Sequence, residues 1–150
     1  MRNNQLSFGD RMKGYENCFN PTLLPNAVYV ARLDGNSFSK FTKSMNFNKP
    51  FDLNFVNAMK NATKRLVKET QAVLGYTQSD EVTLILTPER MRFNGRLNKL
   101  CSIMASKMSV FFYQELLKTN PNFEEKLLEL NPVFDCRVFR CLLYTYDAAD

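Results

Sequence analysis

Hydrophobic periodicity changes along this 150-residue chain in an order that few folds accept. "AVYVARL" (27–33) is apolar and β-branched and reads as a strand. From Phe51 to about Gln71 the period becomes helical, with Phe55, Met59, Ala62, Leu66 and Thr70 three and four residues apart. "AVLGYTQ" and "EVTLILT" are two short strands meeting around Ser79–Asp80, the pattern of a hairpin. "RLNKLCSIMASKMSVFFYQELLKT" is a second long helix, and "VFDCRVF" a fourth strand. Strand, helix, strand, strand, helix, strand is the ferredoxin-like, split βαβ order. It predicts an α+β fold: an antiparallel sheet with both long helices on one face.

The intervening segments are irregular. "DRMKGYENC" suggests a short helix interrupted by Gly14, "DGNSF" a turn, and "SFSKFTKSM" a helical turn or two, broken near Pro50. Asp52 stands where an N-cap for the first long helix belongs. "PERMRFNGR" reads as a basic loop and "NPNFEEKLLELNP" as a connector. The last ten residues, "CLLYTYDAAD", bear no relation to what precedes them and resemble translated adapter sequence. The expectation is one domain over 1–140, incomplete at its C-terminus, and a non-native tail over 141–150, with a frayed native C-terminus as the alternative.

Composition narrows the chemistry. The chain has no His, which excludes Ser-His-Asp and Cys-His catalysis. Cys18, Cys101, Cys136 and Cys141 form no CxxC pair, which argues against zinc. Carboxylates, lysines, arginines or a bound metal must carry any reaction. A net charge of +5 suits a phosphate-rich partner. No apolar stretch approaches the ~20 residues of a membrane span, and the N-terminus lacks an apolar leader segment. A cytoplasmic protein with reduced thiols is expected.

The topology brings two distant acids together. Asp34 ends the first strand, and Asp80 lies in the turn before the third. These strands are central neighbours in a ferredoxin-like sheet. Adjacent carboxylates repel unless a cation lies between them, and Mg²⁺ favours one or two carboxylates with waters and phosphates. The tight turn exposes the carbonyls of Gly35 and Asn36 as further ligands. An Asp-Gly turn and a solvated hairpin tip are the alternative readings of the same residues. Glu81 is a lesser candidate. Lys49 sits on the loop after the first turn. Arg92, Arg96 and Lys99 stand at the start of the second long helix, a possible triphosphate cradle or a solvated basic face.

"VARLDGNSFSKFTKSMNFNKPFD", "GYTQSDEVTLIL", "RLNKLCSIMASKMS" and "FDCRVF" together resemble the tRNA-His guanylyltransferase family, most closely its bacterial and phage guanylyltransferase-like members. The resemblance implies a polymerase-type palm that adds nucleotides to the 5′ end of RNA in the 3′-to-5′ direction, with two divalent ions. It implies Mg²⁺ on Asp34 and Asp80 with the Gly35 carbonyl. It places Lys49, Ser79, Arg96 and Lys99 against nucleotide or triphosphate, and Asn36, Ser37 and Phe38 in a loop covering the nucleotide. Asp52 falls on the acid after Lys-Pro. Family members often carry Arg or Gly after RLDG and a His just beyond the Phe; Asn36 and Ser39 stand there in this chain.

The implied function is template-dependent 5′-end repair or guanylylation of tRNA with GTP and ATP as substrates, by a homo-oligomer. Two other classes fit the scaffold. A nucleotide cyclase-like palm would make a cyclic product without RNA. A non-catalytic RNA-binding domain would stack bases on sheet aromatics.

Overall fold

In the computed structural model, which describes residues 6–141, helix α1 (Phe8–Cys18) leads into strand β1 (Tyr29–Gly35). Helices α2 (Phe38–Ser44) and α3 (Leu53–Thr70) follow, then the hairpin β2 (Leu74–Gln78) and β3 (Glu81–Leu86). Two short 3₁₀ turns precede α4 (Leu97–Thr119), and α5 (Glu124–Leu130) precedes β4 (Phe134–Arg140). The sheet is antiparallel in the order β2-β3-β1-β4, so the ferredoxin-like α+β expectation holds. Residues 142–150, nearly all of the segment expected to be non-native, lie outside the described residues.

Alternation builds the core. Ala31 and Leu33 of β1 and Val82 and Leu84 of β3 are fully buried on one face of the sheet. Against them pack Ala58, Met59, Ala62 and Leu66 of α3, and Met104, Met108, Phe112 and Leu116 of α4. Among the described residues no helix covers the opposite sheet face. At one end of the core Phe38, Phe41, Phe55, Phe112 and Phe134 form a ring cluster, with Phe38 and Phe134 centroids 4.8 Å apart. Such pairs contribute about 0.5–1.5 kcal/mol each beyond burial.

Three local expectations change. The first strand runs from Tyr29 to Gly35 rather than 27–33, because Asp34 and Gly35 still pair with Asp135 and Phe134. Helix α1 passes through Gly14 without a break. It is solvent-exposed throughout and capped by Ser7, whose Oγ accepts from the Asp10 N–H at 3.1 Å, so a glycine meets no packing conflict there. The basic loop folds into two 3₁₀ turns, with Phe93 and Asn94 at positive φ.

Candidate active site

Three strands meet at one rim of the sheet. Leu33 pairs with Val82, which carries Asp34 to the level of Glu81 and the Ser79–Asp80 turn. On its other side Asp34 pairs with Asp135 and Gly35 with Phe134. Leu33, Val82 and Phe134 face the helices, so Asp34, Glu81 and Asp135 face the uncovered side. Four carboxylates therefore gather at one end of the molecule.

Their mutual field shows on Asp34. Burial raises its pKa first, then the charges of Asp80, Asp135 and Glu81; the Gly35 N–H opposes the rise. A divalent cation would relieve that repulsion. Among the described residues no three His, Cys, Asp or Glu converge as a ready-made ligand set. Asp34 and Asp80 with the Gly35 carbonyl suit Mg²⁺, which binds through one or two carboxylates and keeps positions for water and phosphate.

The backbone around these acids is held under strain. Ser37 and Ser79 both lie in the left-handed region, at φ 58 and φ 54. Residues with a Cβ pay of order 1–2 kcal/mol there, and such strain collects at functional loops. Ser79 bridges the turn by donating to an Asp80 carboxylate oxygen at 3.0 Å. The Asn36 N–H donates to the Val133 carbonyl at 2.9 Å, tying the loop after β1 to the entry of β4. Asn36 and Ser37 are exposed, and the Ser37 hydroxyl donates to the Asn36 amide oxygen at 3.2 Å.

Gly35 has a steric reason to be glycine. A Cβ there would fall 2.3 Å from the ring of Phe38. That ring corrects one expectation: Phe38 is 2% exposed and belongs to the aromatic cluster, not to a surface over a nucleotide. Its part is to anchor the Gly35–Ser37 loop from below.

Asp52 is also reassigned. Its carboxylate accepts from the N–H groups of Asn48, Asn54 and Phe55 at 3.1, 2.9 and 3.2 Å. It is 9% exposed and caps α3, as the sequence suggested, with its oxygens committed to backbone. Lys49 is exposed on the segment just before that cap, at the same end as Asp34.

Arg96 and Lys99 do not join this group. Strand β3 runs away from the acidic rim, and α4 starts only after it. From Val82 to Leu86 alone the sheet spans about 13 Å. Arg96 bridges Thr22 at the far end, and the Lys99 ammonium lies 5.1 Å from the centre of the Phe93 ring. The cradle expected beside the carboxylates is at the opposite end.

Asp135 was not anticipated. Its signal was the alternation in "FDCRVF": Phe134 buried means Asp135 faces the uncovered side. Seeing it beside Asp34 required the β1–β4 register. Arg137 on the same face lies 3.7 Å from Asp135.

Comparison with known proteins agrees with this architecture. The chain is 38% identical over 149 residues to the R259 protein of Acanthamoeba polyphaga mimivirus, an alignment covering 87% of the chain and 50% of that protein. It is 35% identical over 119 residues to the tRNA(His) guanylyltransferase of Debaryomyces hansenii, covering 77% and 44%. The chain thus spans about half the length of the curated relatives it matches. A bacterial tRNA(His) guanylyltransferase (Thg1)-like protein solved in complex with ATP superposes with a TM-score of 0.78 at 30% identity, covering 90% of this chain and 58% of that one. The Saccharomyces cerevisiae tRNA(His) guanylyltransferase gives 0.74 at 31% identity, covering 85% and 57%. The family model for tRNAHis guanylyltransferase (Thg1) matches residues 9–142, and the chain belongs to that family.

Proposed function

We propose that this chain is the palm of an enzyme adding nucleotides to the 5′ end of tRNA in the 3′-to-5′ direction, guided by a template strand. The observation that carries this reading is the β1–β3 register, which brings Asp34 and the Asp80 turn to one rim. Relatives of the same family supply the substrate class: one similar structure holds ATP and another GTP. The reaction would activate a 5′-monophosphorylated end with ATP or GTP. Pyrophosphate would leave in that step, and the 3′-hydroxyl of an incoming nucleotide would then attack the activated 5′ phosphate and displace AMP or GMP.

Asp34 and Asp80, with the Gly35 carbonyl, would hold two Mg²⁺ ions. Bound Mg²⁺ supplies Lewis acidity, lowering the pKa of an attacking hydroxyl and neutralising the leaving oxygen. Lys49 would offset triphosphate charge from the same end. Asn36, Ser37 and Ser79 would offer hydroxyl, amide and backbone donors along the rim, on loops anchored by Phe38 and by the Asn36–Val133 bond. Glu81 and Asp135 would shape the field at the ions without completing the ligand set. No imidazole base is needed, in keeping with a chain that has no His.

Arg96 and Lys99 lie at the far end of the sheet, so a triphosphate role for them requires a second copy of the chain. A homo-oligomer would supply that second copy. The test is incorporation of labelled GTP into a 5′-truncated tRNA with Mg²⁺. Asp34→Ala and Asp80→Ala should each abolish it while circular dichroism stays native. Near-normal incorporation by either variant would overturn the reading.

A further inference from the structure

Charge is distributed unevenly over this molecule. The two long helices, α3 and α4, carry seven cations and two carboxylates, a surplus equal to the whole chain's +5. The acids Asp34, Asp80, Glu81 and Asp135 gather instead at the sheet rim.

Within the helix layer the surplus is ordered. Lys60, Lys64 and Lys68 recur every four residues along α3, opposite its buried stripe of Ala58, Met59, Ala62 and Leu66. All three are exposed, and none has a carboxylate within ion-pair distance among the described residues. Glu69, the only acid on α3, is taken by Lys107 of α4. Like charges at i and i+4 destabilise a helix, so a lysine row without interleaved acids works against folding. Helices α1 and α5 mix their signs, with Asp10, Arg11, Lys13 and Glu16 on the first and Glu124, Glu125, Lys126 and Glu129 on the second, while the short α2 carries Lys40 and Lys43 alone.

The row continues into a shaped groove. Arg65 lies with its guanidinium 4.0 Å from the centre of the Phe111 ring and is fixed by Glu115 and Gln114, each at 2.8 Å. Arg92 donates to the Glu69 carbonyl at the end of α3. Between them an open groove is lined by Arg65, Lys68, Glu69, Gln71, Arg92 and Phe111, with the Glu69 carboxylate turned to Lys107. The planar guanidiniums are held in place by other contacts, so little ordering remains to be done when a phosphate arrives.

We propose that the Lys60–Lys64–Lys68 row and the Arg65–Arg92 groove form a second RNA surface, which tracks the phosphate backbone of the tRNA body away from the reacting end. It spans about 12 Å from Lys60 to Lys68. It begins within two turns of the α3 N-terminus, which lies at the same end as Asp34. The surface reads charge and carries no base specificity. The proposal rests on the tRNA reading above.

The test measures binding of a 5′-monophosphorylated tRNA transcript over a series of KCl concentrations. The proteins are the wild-type chain, Lys60→Gln/Lys64→Gln/Lys68→Gln, and the charge-matched control Lys13→Gln/Lys43→Gln/Lys126→Gln. Binding of Mg²⁺ and GTP is measured in parallel. The row variant should lose about two units of slope in log Kd against log salt and bind roughly 10–100-fold more weakly at low salt, with GTP affinity unchanged. The control should keep most of both. If wild type binds tRNA and the row variant matches it, or the control loses as much, the surface is wrong and the tRNA reading stands. If wild type binds GTP but no tRNA, both are overturned.

Discussion

Asp34 of β1 stands directly across from Asp135 of β4 in the antiparallel register. Two carboxylates thus share one rung of the sheet, with Asp80 and Glu81 close enough to add to the repulsion. Like charges directly opposite one another destabilise a sheet. The native chain holds a proton on Asp34 more tightly than the unfolded chain does. Its stability therefore falls as pH rises from near 4, the ordinary aspartate value, through the raised pKa, and stays at the lower level above it. Asp135→Asn should raise stability at neutral pH by roughly 0.2–1 kcal/mol and reduce that fall. Urea melts across a pH series would show it. Saturating Mg²⁺ should narrow the gap between variant and wild type. A pH profile identical to wild type would mean that the two residues are not coupled.

Gly35 and Phe38 form a second coupled pair. Gly35→Ala puts a methyl 2.3 Å from an aromatic ring that packs on four other phenylalanines. Overpacking of this kind typically costs about 1–3 kcal/mol. Since the displaced ring supports the loop beside Asp34, nucleotide affinity should fall with stability. Phe38→Leu frees space at the same point. The double variant should be less destabilised than the sum of the singles, a coupling that a double-mutant cycle measures directly. Strict additivity would show that the added methyl is accommodated elsewhere.

Asp52 makes a cleaner separation of fold from site. Asp52→Ala leaves the N–H groups of Asn54 and Phe55 in the first turn of α3, and that of Asn48 in the loop before it, without their acceptor. Loss of such a cap costs about 1–2 kcal/mol, or about 2–8 °C in a domain of this size. Thermal melts should show that loss. The affinity of the remaining folded protein for Mg²⁺ and GTP should stay within a few-fold of wild type. A large loss of affinity at native stability would return Asp52 to the site.

The sequence was informative where one periodicity implied one element. The run from Phe55 to Thr70, the alternation in "EVTLIL" and the strand "FDCRVF" each fold as read, and their order imposes the sheet. The closeness of Asp34 and Asp80 follows from that order alone. What escaped was set by register and direction. Asp135 emerges only once β4 is aligned against β1. Arg96 and Lys99 looked close to the acids because a helix N-terminus suits phosphate, yet β3 runs the full depth of the sheet before α4 begins. Phe38 had the sequence position of a loop residue, but the missing Cβ of Gly35 lets its ring turn inward.

The two ends of the sheet present different cations to a triphosphate. Lys49 shares the end of the molecule that holds Asp34 and Asp80, so its contact with a triphosphate can form within one chain. Lys49→Ala should weaken Mg²⁺–GTP binding by about 1.5–3 kcal/mol, the usual range for a hydrogen bond to a charged group. Arg96→Ala and Lys99→Ala should leave that affinity unchanged in dilute, monomeric protein, because their side chains are a full strand length away. At concentrations where copies associate, as followed by sedimentation, the same two substitutions should begin to weaken binding or incorporation. Equal losses from all three variants in monomeric protein would mean that the far cations reach the rim within one chain, and the assignment of the two ends would be wrong.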